Sequence, residues 1–380
     1  MTEHVEFAIV GGGLLGLSTA RALGRRGHEV LLLERDTVGN DRAGSKGSAR
    51  IFRFGYDDPF YVQMALAALP MWRELEEESG RELLSVTGQL SFGESLDLLR
   101  AAMTSAGAPF EDLDRIEVAR RVPALHTDAP AVFEPGSGVL AADRCLAALR
   151  HASEASKVVV TEGCRVTSLG DADGLVHLET HDGTVTASVA VVCAGHWSAD
   201  LLASAGIELH LLPTLEQVAY LSPVTGHDAE VPVFIERGDA SRPWVYGLPA
   251  GSPGLLKVAL HGAGMVAHPD DSPLDPEPRL LADLVDQCAR LLPTHHQVPV
   301  TTERCFYDSS EDGDFVIDRL GRVVIGAGTT GHGFKFGPLL GELLADLATG
   351  APSRLDLERF SARRPSVASK PGGKVRMTRR

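Results

Sequence analysis

The feature that most constrains this chain lies at its start. Glu6 to Val10 is a short apolar run that leads directly into GGGLLGLSTARALGRRGHEVLLLER. Gly11, Gly13 and Gly16 form G-x-G-x-x-G; Leu17, Ala20 and Leu23 recur at helical spacing; Gly24 and Gly27 close that pattern; and Val30 to Leu33 is a second apolar run ending in Glu34. Strand, glycine turn, helix and strand with a terminal acid make a complete dinucleotide-binding unit. Gly11 permits the tight turn, Gly13 lets the backbone approach a pyrophosphate, and Gly16 lets the helix pack closely on the strand. The helix N-terminus offers free N–H groups and a positive dipole end to the phosphates. Glu34 is positioned to accept hydrogen bonds from a ribose and disfavours a 2′-phosphate. NAD and FAD share adenosine diphosphate, so this unit alone does not choose between them.

The rest of the chain predicts how that unit is completed. A Gly/Ser/Arg-rich loop follows Glu34, and Asp58 and Pro59 mark the start of a helix carrying Val62, Leu66, Leu69, Trp72 and Leu75 at helical spacing, with a kink expected at Pro70. Trp72 reads as core. A helix around Ala142 to Ala152 precedes three strand-like runs, and Leu211 to Lys257 is rich in strands, which suggests a separate sheet domain. Near the end, RVVIGAGTTGHGFKFGPLLGELLADLATG is again a buried strand, a glycine turn and an amphipathic helix. First and last strands that both end in glycine turns belong in one sheet, so the nucleotide domain is discontinuous. The expected class is α/β: a Rossmann-like domain of residues 1–85, 140–215 and 303–366, a mixed antiparallel-sheet substrate domain of 86–139 and 216–302, and a flexible basic tail over 367–380.

Composition narrows the partners. A net charge of −15 repels phosphate backbones and argues against nucleic acid. No apolar run is long enough to cross a bilayer and no basic leader precedes one, so the expectation is a cytoplasmic protein without a membrane partner. The five cysteines are odd in number and have neither CxxC nor Cys/His spacing, which argues against disulfides and metal.

Six segments, in order, resemble the monomeric sarcosine oxidase branch of the FAD-dependent amine oxidases, the sarcosine, N-methyltryptophan, pipecolate and glycine oxidase-like enzymes. They are GGGLLG with Glu34, GSKGSARIFRFGY, FEPGSGVL, VVCAGHWS, RCFYDSSEDGDFVID and GAGTTGHGFKFGP. The resemblance covers nearly the whole chain. It implies FAD, a p-hydroxybenzoate-hydroxylase-like architecture, and oxidation by molecular oxygen of the C–N bond of an amino acid by a monomer. It implies that Cys305 forms a thioether to the flavin, its pKa lowered by Arg304 or a nearby cation; Cys145, Cys164, Cys193 and Cys288 are read as structural. Lys257 is implied to direct its positive charge at the negative charge developing on oxygen, with Arg50 near the flavin face and His261 and Tyr246 lining the site. Arg53 and Lys335 are implied to hold the substrate carboxylate. Further flavin contacts fall to Leu14, Leu15 and Arg35 beside the first glycines, to Lys46 and Ser48, and to Gly328, Gly331, Gly333 and Lys335 in the last turn. The chain departs from the family pattern at KGSA (Lys46 to Ala49), one residue shorter than a His-containing loop, at SSEDG, and at Glu216, where sarcosine oxidases tend to be basic. Three alternatives stay open at the level of sequence: a dehydrogenase with another electron acceptor, a NAD-dependent enzyme, and a flavin-binding module without turnover.

Overall fold

The computed structural model describes residues 3–225, 230–239, 242–251, 254–270 and 272–368. Its first sheet runs in the order Val166–Ala172, Leu175–Thr180, Gly183–Val192, Glu3–Val10, Val30–Leu33 and Val159–Thr161. Val323–Ala327 joins parallel to Gly183–Val192, so the first and last glycine turns do belong to one sheet. Its central strands are apolar on both sides because both faces are covered. Phe7, Ile9 and Leu32 pack with Leu17, Leu149 and Leu343 of the flanking helices. Val5, Ala8, Leu31 and Leu33 pack with Leu169, Val176 and Leu202 on the other face.

A second, mostly antiparallel sheet contains Leu212–Leu221, Leu256–Leu260, Val245–Pro249, Val233–Arg237 and Gln89–Gly93, with Thr301–Ser309 paired to Leu212–Leu221. Sheet membership divides the chain differently from the expected boundaries at two points. Leu212–Leu221 lies wholly in this sheet, and Thr301–Ser309, expected largely with the nucleotide domain, lies here as well. The strand that carries Cys305 is therefore a wall contributed by the second sheet. A small third sheet, Arg50–Phe52, Gly138–Leu140 and Leu84–Val86, joins the two halves.

The helix Pro59–Ser79 begins as expected, with the Asp58 carboxylate accepting from the Phe60 N–H at 2.9 Å. It runs through Pro70 without interruption. Trp72 is fully buried within it. The expected tail divides: Val367 is buried and its carbonyl accepts from the His210 N–H at 2.7 Å, while 369–380 lie outside the described residues.

Candidate active site

The first glycine turn is built where a side chain has no room. Gly11 has φ +103°, and a Cβ there would lie 2.4 Å from the Cys193 carbonyl oxygen. A Cβ on Gly16 would lie 1.8 Å from the Gly11 carbonyl oxygen, so Gly16 allows the helix to close on the strand without itself lining the cavity. The helix Leu14–Arg25 has no side-chain cap from Gly13 and no acid in its first turn. One of its free donors, the Leu14 N–H, reaches Ser45 Oγ at 3.0 Å. At the end of the next strand, Glu34 Oε2 accepts from the Gly12 N–H at 2.7 Å, and burial raises the pKa of its carboxyl.

From this turn a cavity of about 570 Å³ runs between the two sheets, lined at one end by Gly13, Glu34 and Arg35 and at the other by Lys257, Cys305 and Lys335. Strand alternation decides what reaches it. Leu256, Val258 and Leu260 pack with Leu284 and Leu291 of the helix behind the sheet, which turns Lys257 to the opposite, cavity side. Its ammonium donates to the Ala49 carbonyl at 3.3 Å. Burial pushes its pKa down to about 8, the Arg50 charge adds to the fall, and Cys305 and Glu303 oppose it.

The same alternation separates Cys305 from the Arg304 side chain. Cys305 lines the cavity directly opposite Glu216, whereas Arg304 donates to the backbone carbonyls of Leu215, Glu216 and Asp275. Adjacent strand residues point to opposite faces, so Arg304 makes no contact with the thiol beside it in sequence and reaches it only through its charge. Burial raises the Cys305 pKa, and Arg50, Lys257 and Lys46 are among the cations that counter it. The Glu216 carboxylate accepts from the Thr214 hydroxyl at 2.7 Å and the Gly264 N–H at 2.8 Å, and burial raises its pKa.

Arg53 and Lys335 converge on one aromatic ring. The Arg53 guanidinium lies 4.3 Å from the Tyr56 ring centre and the Lys335 ammonium 5.4 Å from it. Arg53 donates to the Gly55 carbonyl at 2.5 Å, and Lys335 to the His332 carbonyl at 2.8 Å. Burial and then the Arg53 charge hold the Lys335 pKa well below its usual range. His261 and Tyr246 also line this end. The His261 ring is surrounded by protein yet open to the cavity, and enclosure beside Arg53 and Lys335 pushes its pKa down to about 4. Burial raises the pKa of the Tyr246 phenol, which neighbours Tyr307.

Among the expected flavin contacts, Leu14, Leu15, Arg35, Arg50, Gly331 and Gly333 line the cavity, while Lys46, Ser48 and Gly328 do not. The Lys46 ammonium pairs with Asp41 at 3.4 Å, and its carbonyl accepts from Arg50 at 2.6 Å. The Ser48 side chain neighbours Tyr220, whose hydroxyl donates to Glu303 at 3.0 Å, and Gly328 packs beside Val316 and Leu211. Gly331 is required: at φ +70° its Cβ would lie 2.1 Å from the Tyr307 ring.

Sequence reasoning missed several lining residues. Tyr307 lies two residues past Cys305 on the same strand, so period-two alternation was enough to find it. Tyr56 and His332 sat inside quoted segments without a role. Asp270 carried no local signal: its carboxylate accepts from Arg35 and from the Trp197 indole at 2.9 Å each and pairs with Arg165 at 3.2 Å, while Arg35 stacks 4.2 Å over Trp197.

A family model for FAD dependent oxidoreductases (DAO) matches residues 6–347. The chain belongs to that family. Among relatives of this FAD-dependent oxidoreductase, peroxisomal sarcosine oxidase of Mus musculus is 32% identical over 97% of this chain and 98% of its own length. Monomeric sarcosine oxidase of Streptomyces avermitilis is 32% identical over 97% of this chain and 100% of its own. The solved structure of NikD, described as an unusual amino acid oxidase essential for nikkomycin biosynthesis, superposes with a TM-score of 0.85 at 27% identity, covering 98% of this chain and 100% of that one. The cavity fits FAD on its own terms. It joins a helix N-terminus without an acid in its first turn and a glycine cradle with no room for a Cβ to a carboxylate at a strand end, and it extends from there to the end lined by Lys257, Cys305 and Lys335. No metal-ligating cluster occurs among the described residues, nor is any helix there long and apolar enough to cross a membrane.

Proposed function

We propose that this FAD-dependent oxidoreductase oxidises the C–N bond of a primary or secondary amino acid, N-substituted glycines among them, to an imine that water hydrolyses. FAD, when bound, supplies the two-electron acceptor and passes those electrons to oxygen, giving hydrogen peroxide. The observation that carries the reading is the convergence of Arg53 and Lys335 on Tyr56 within the cavity that Lys257 and Cys305 also line. A half-buried guanidinium and a buried ammonium turned to one ring suit a carboxylate, which Arg53 binds as a fork and Lys335 as a point charge. Tyr246, Tyr307 and Trp244 supply apolar walls that exclude water and confine the remainder of the substrate. His261, held neutral, adds a hydrogen-bonding group without adding charge. Lys257 offers a fixed positive charge in a low-dielectric pocket, where it stabilises negative charge forming on oxygen more strongly than in water. Cys305 is the attachment point we assign to FAD, flanked by Arg50 and Lys257, which favour the thiolate. Relatives named sarcosine oxidase and N-methyl-L-tryptophan oxidase support an N-methyl amino acid as the first substrate to test. The chain acts as a monomer in this reading, and its five unpaired cysteines suit a reducing compartment such as the cytoplasm.

The test is an anaerobic screen. Amino acids, N-methyl amino acids and the corresponding decarboxylated amines are mixed with purified protein and flavin bleaching is followed, after which oxygen is admitted. We expect bleaching by carboxylate-bearing amines and recovery of colour with peroxide formation. Equal bleaching by decarboxylated amines would remove the carboxylate assignment; a bleached flavin indifferent to oxygen would make the protein a dehydrogenase.

A further inference from the structure

FEPGSGVL contains a buried acid that the mechanism above leaves unused. Glu134 is fully buried at the end of the strand Ala131–Glu134, in the turn that crosses from the second sheet to the third. Its Oε2 accepts from the backbone N–H groups of Phe54 at 2.9 Å and Gly55 at 3.0 Å, and from the Ser137 hydroxyl at 2.8 Å. Its Oε1 accepts from the Gln89 amide at 2.9 Å. A buried carboxylate with this many donors is rigidly placed, and so are the groups that donate to it. The two amides it holds follow Arg53 immediately in the chain. The peptide beyond them presents the Gly55 carbonyl, which accepts from Arg53 itself at 2.5 Å. A Cβ on Gly55 would lie 2.4 Å from Glu134 Oε1, so this turn and this acid fit only each other.

We infer that Glu134 is a positioning residue for substrate recognition: through the Phe54 and Gly55 amides it fixes the turn that aims the Arg53 guanidinium at the substrate carboxylate. The inference rests on the carboxylate-binding reading of Arg53 and Lys335. What fixes the turn is where the acceptor oxygen sits, apart from the charge that Glu134 also sets against the Lys335 ammonium. A glutamine keeps an oxygen at the same place, and its amide can donate to Gln89, whose own Oε1 has no partner and is brought round by an amide flip. An aspartate keeps the charge and withdraws it by one methylene from both amides.

The experiment compares Glu134→Gln, Glu134→Asp and Arg53→Met in the FAD-loaded protein, using acetate as a bare carboxylate and reading its binding as a shift in the flavin spectrum. Reoxidation by oxygen of the photoreduced enzyme serves as the control. We expect Glu134→Gln to bind acetate within about two-fold of the parent and Glu134→Asp to bind roughly ten-fold or more weakly, the scale of one lost charge-assisted hydrogen bond. Reoxidation should be the same in both. Glu134→Asp binding as tightly as the parent, or Glu134→Gln binding as weakly as Glu134→Asp, overturns the inference, as does an equal loss of reoxidation, which would make Glu134 a general structural residue. If Arg53→Met leaves acetate binding unchanged, the carboxylate reading itself fails. If Arg53→Met abolishes binding and Glu134→Asp does not weaken it, only the role of Glu134 falls.

Discussion

Lys335 and Tyr56 meet at 2.8 Å, ammonium to phenol, although 279 residues separate them in the chain. The phenol also faces His332 Nδ1 at 3.4 Å, and His332 Nε2 lies 3.3 Å from the Gly313 carbonyl. A carbonyl only accepts, so Nε2 carries the ring proton and Nδ1 is the acceptor. Burial and the Lys335 charge hold the His332 pKa well below its usual range, consistent with that neutral ring. The Lys335 backbone is fixed as well, because its carbonyl accepts from the Trp72 indole at 2.7 Å.

Tyr56→Phe keeps the ring beneath Arg53 and removes the oxygen that accepts from Lys335. We expect amino-acid affinity to fall roughly ten-fold, in line with one lost hydrogen bond to a charged group. The limiting rate of flavin reduction should change little. Stopped-flow reduction across substrate concentrations separates the two terms, and an unchanged half-saturation point would exclude the phenol from the clamp.

Lys257→Met should retain FAD and reduce it normally while reacting with oxygen more slowly by about 100-fold or more, the scale of one electrostatic stabiliser removed from a dry site. With its pKa pushed down to about 8, Lys257 loses its charge as pH rises through 8, so the parent's oxygen rate should decline there and the variant's should not. Stability follows the opposite direction. Between pH 8 and the ordinary lysine range the unfolded chain binds the proton that the folded one has released, so the parent gains stability as pH rises across that window. Lys257→Met should therefore be the more stable protein at neutral pH, with the difference shrinking as pH rises. Thermal melts from pH 7 to 10 measure this.

Cys305→Ala should yield protein whose yellow colour stays in the supernatant after acid precipitation, whereas the parent's colour should pellet. The other four cysteines are buried; replacing any of them should leave the colour in the pellet. Colour in the supernatant from the parent would return Cys305 to an ordinary cavity-lining thiol.

Asp270→Ala removes the acceptor shared by Arg35, Arg165 and the Trp197 indole at the nucleotide end. Tested in the Cys305→Ala background, where attachment cannot mask the effect, FAD affinity should fall by roughly ten-fold as Arg35 and Trp197 lose their common partner. The rate of flavin reduction at saturating FAD should not change. Flavin fluorescence on titration gives the affinity.

The amino-acid order alone determined the parts whose information is local. G-x-G-x-x-G between two apolar runs specified the first glycine turn because steric room and helix-end donors are properties of neighbouring residues, and the Asp58 cap followed for the same reason. Cys305, Lys257, Arg53 and Lys335 are singled out as candidates through the resemblance of their segments to a known family. Only the folded chain decided which faces those side chains take and what stands next to them: that Arg304 turns away from Cys305, that Lys46 pairs with Asp41 outside the cavity, and that Asp270 closes over Arg35 from the second half of the molecule. Glu134 became legible in the same way, since its four donors come from segments up to 80 residues distant. Contacts of that kind are set by sheet register and loop path, which depend on the packing of the whole core and leave no periodic mark in any one stretch of sequence.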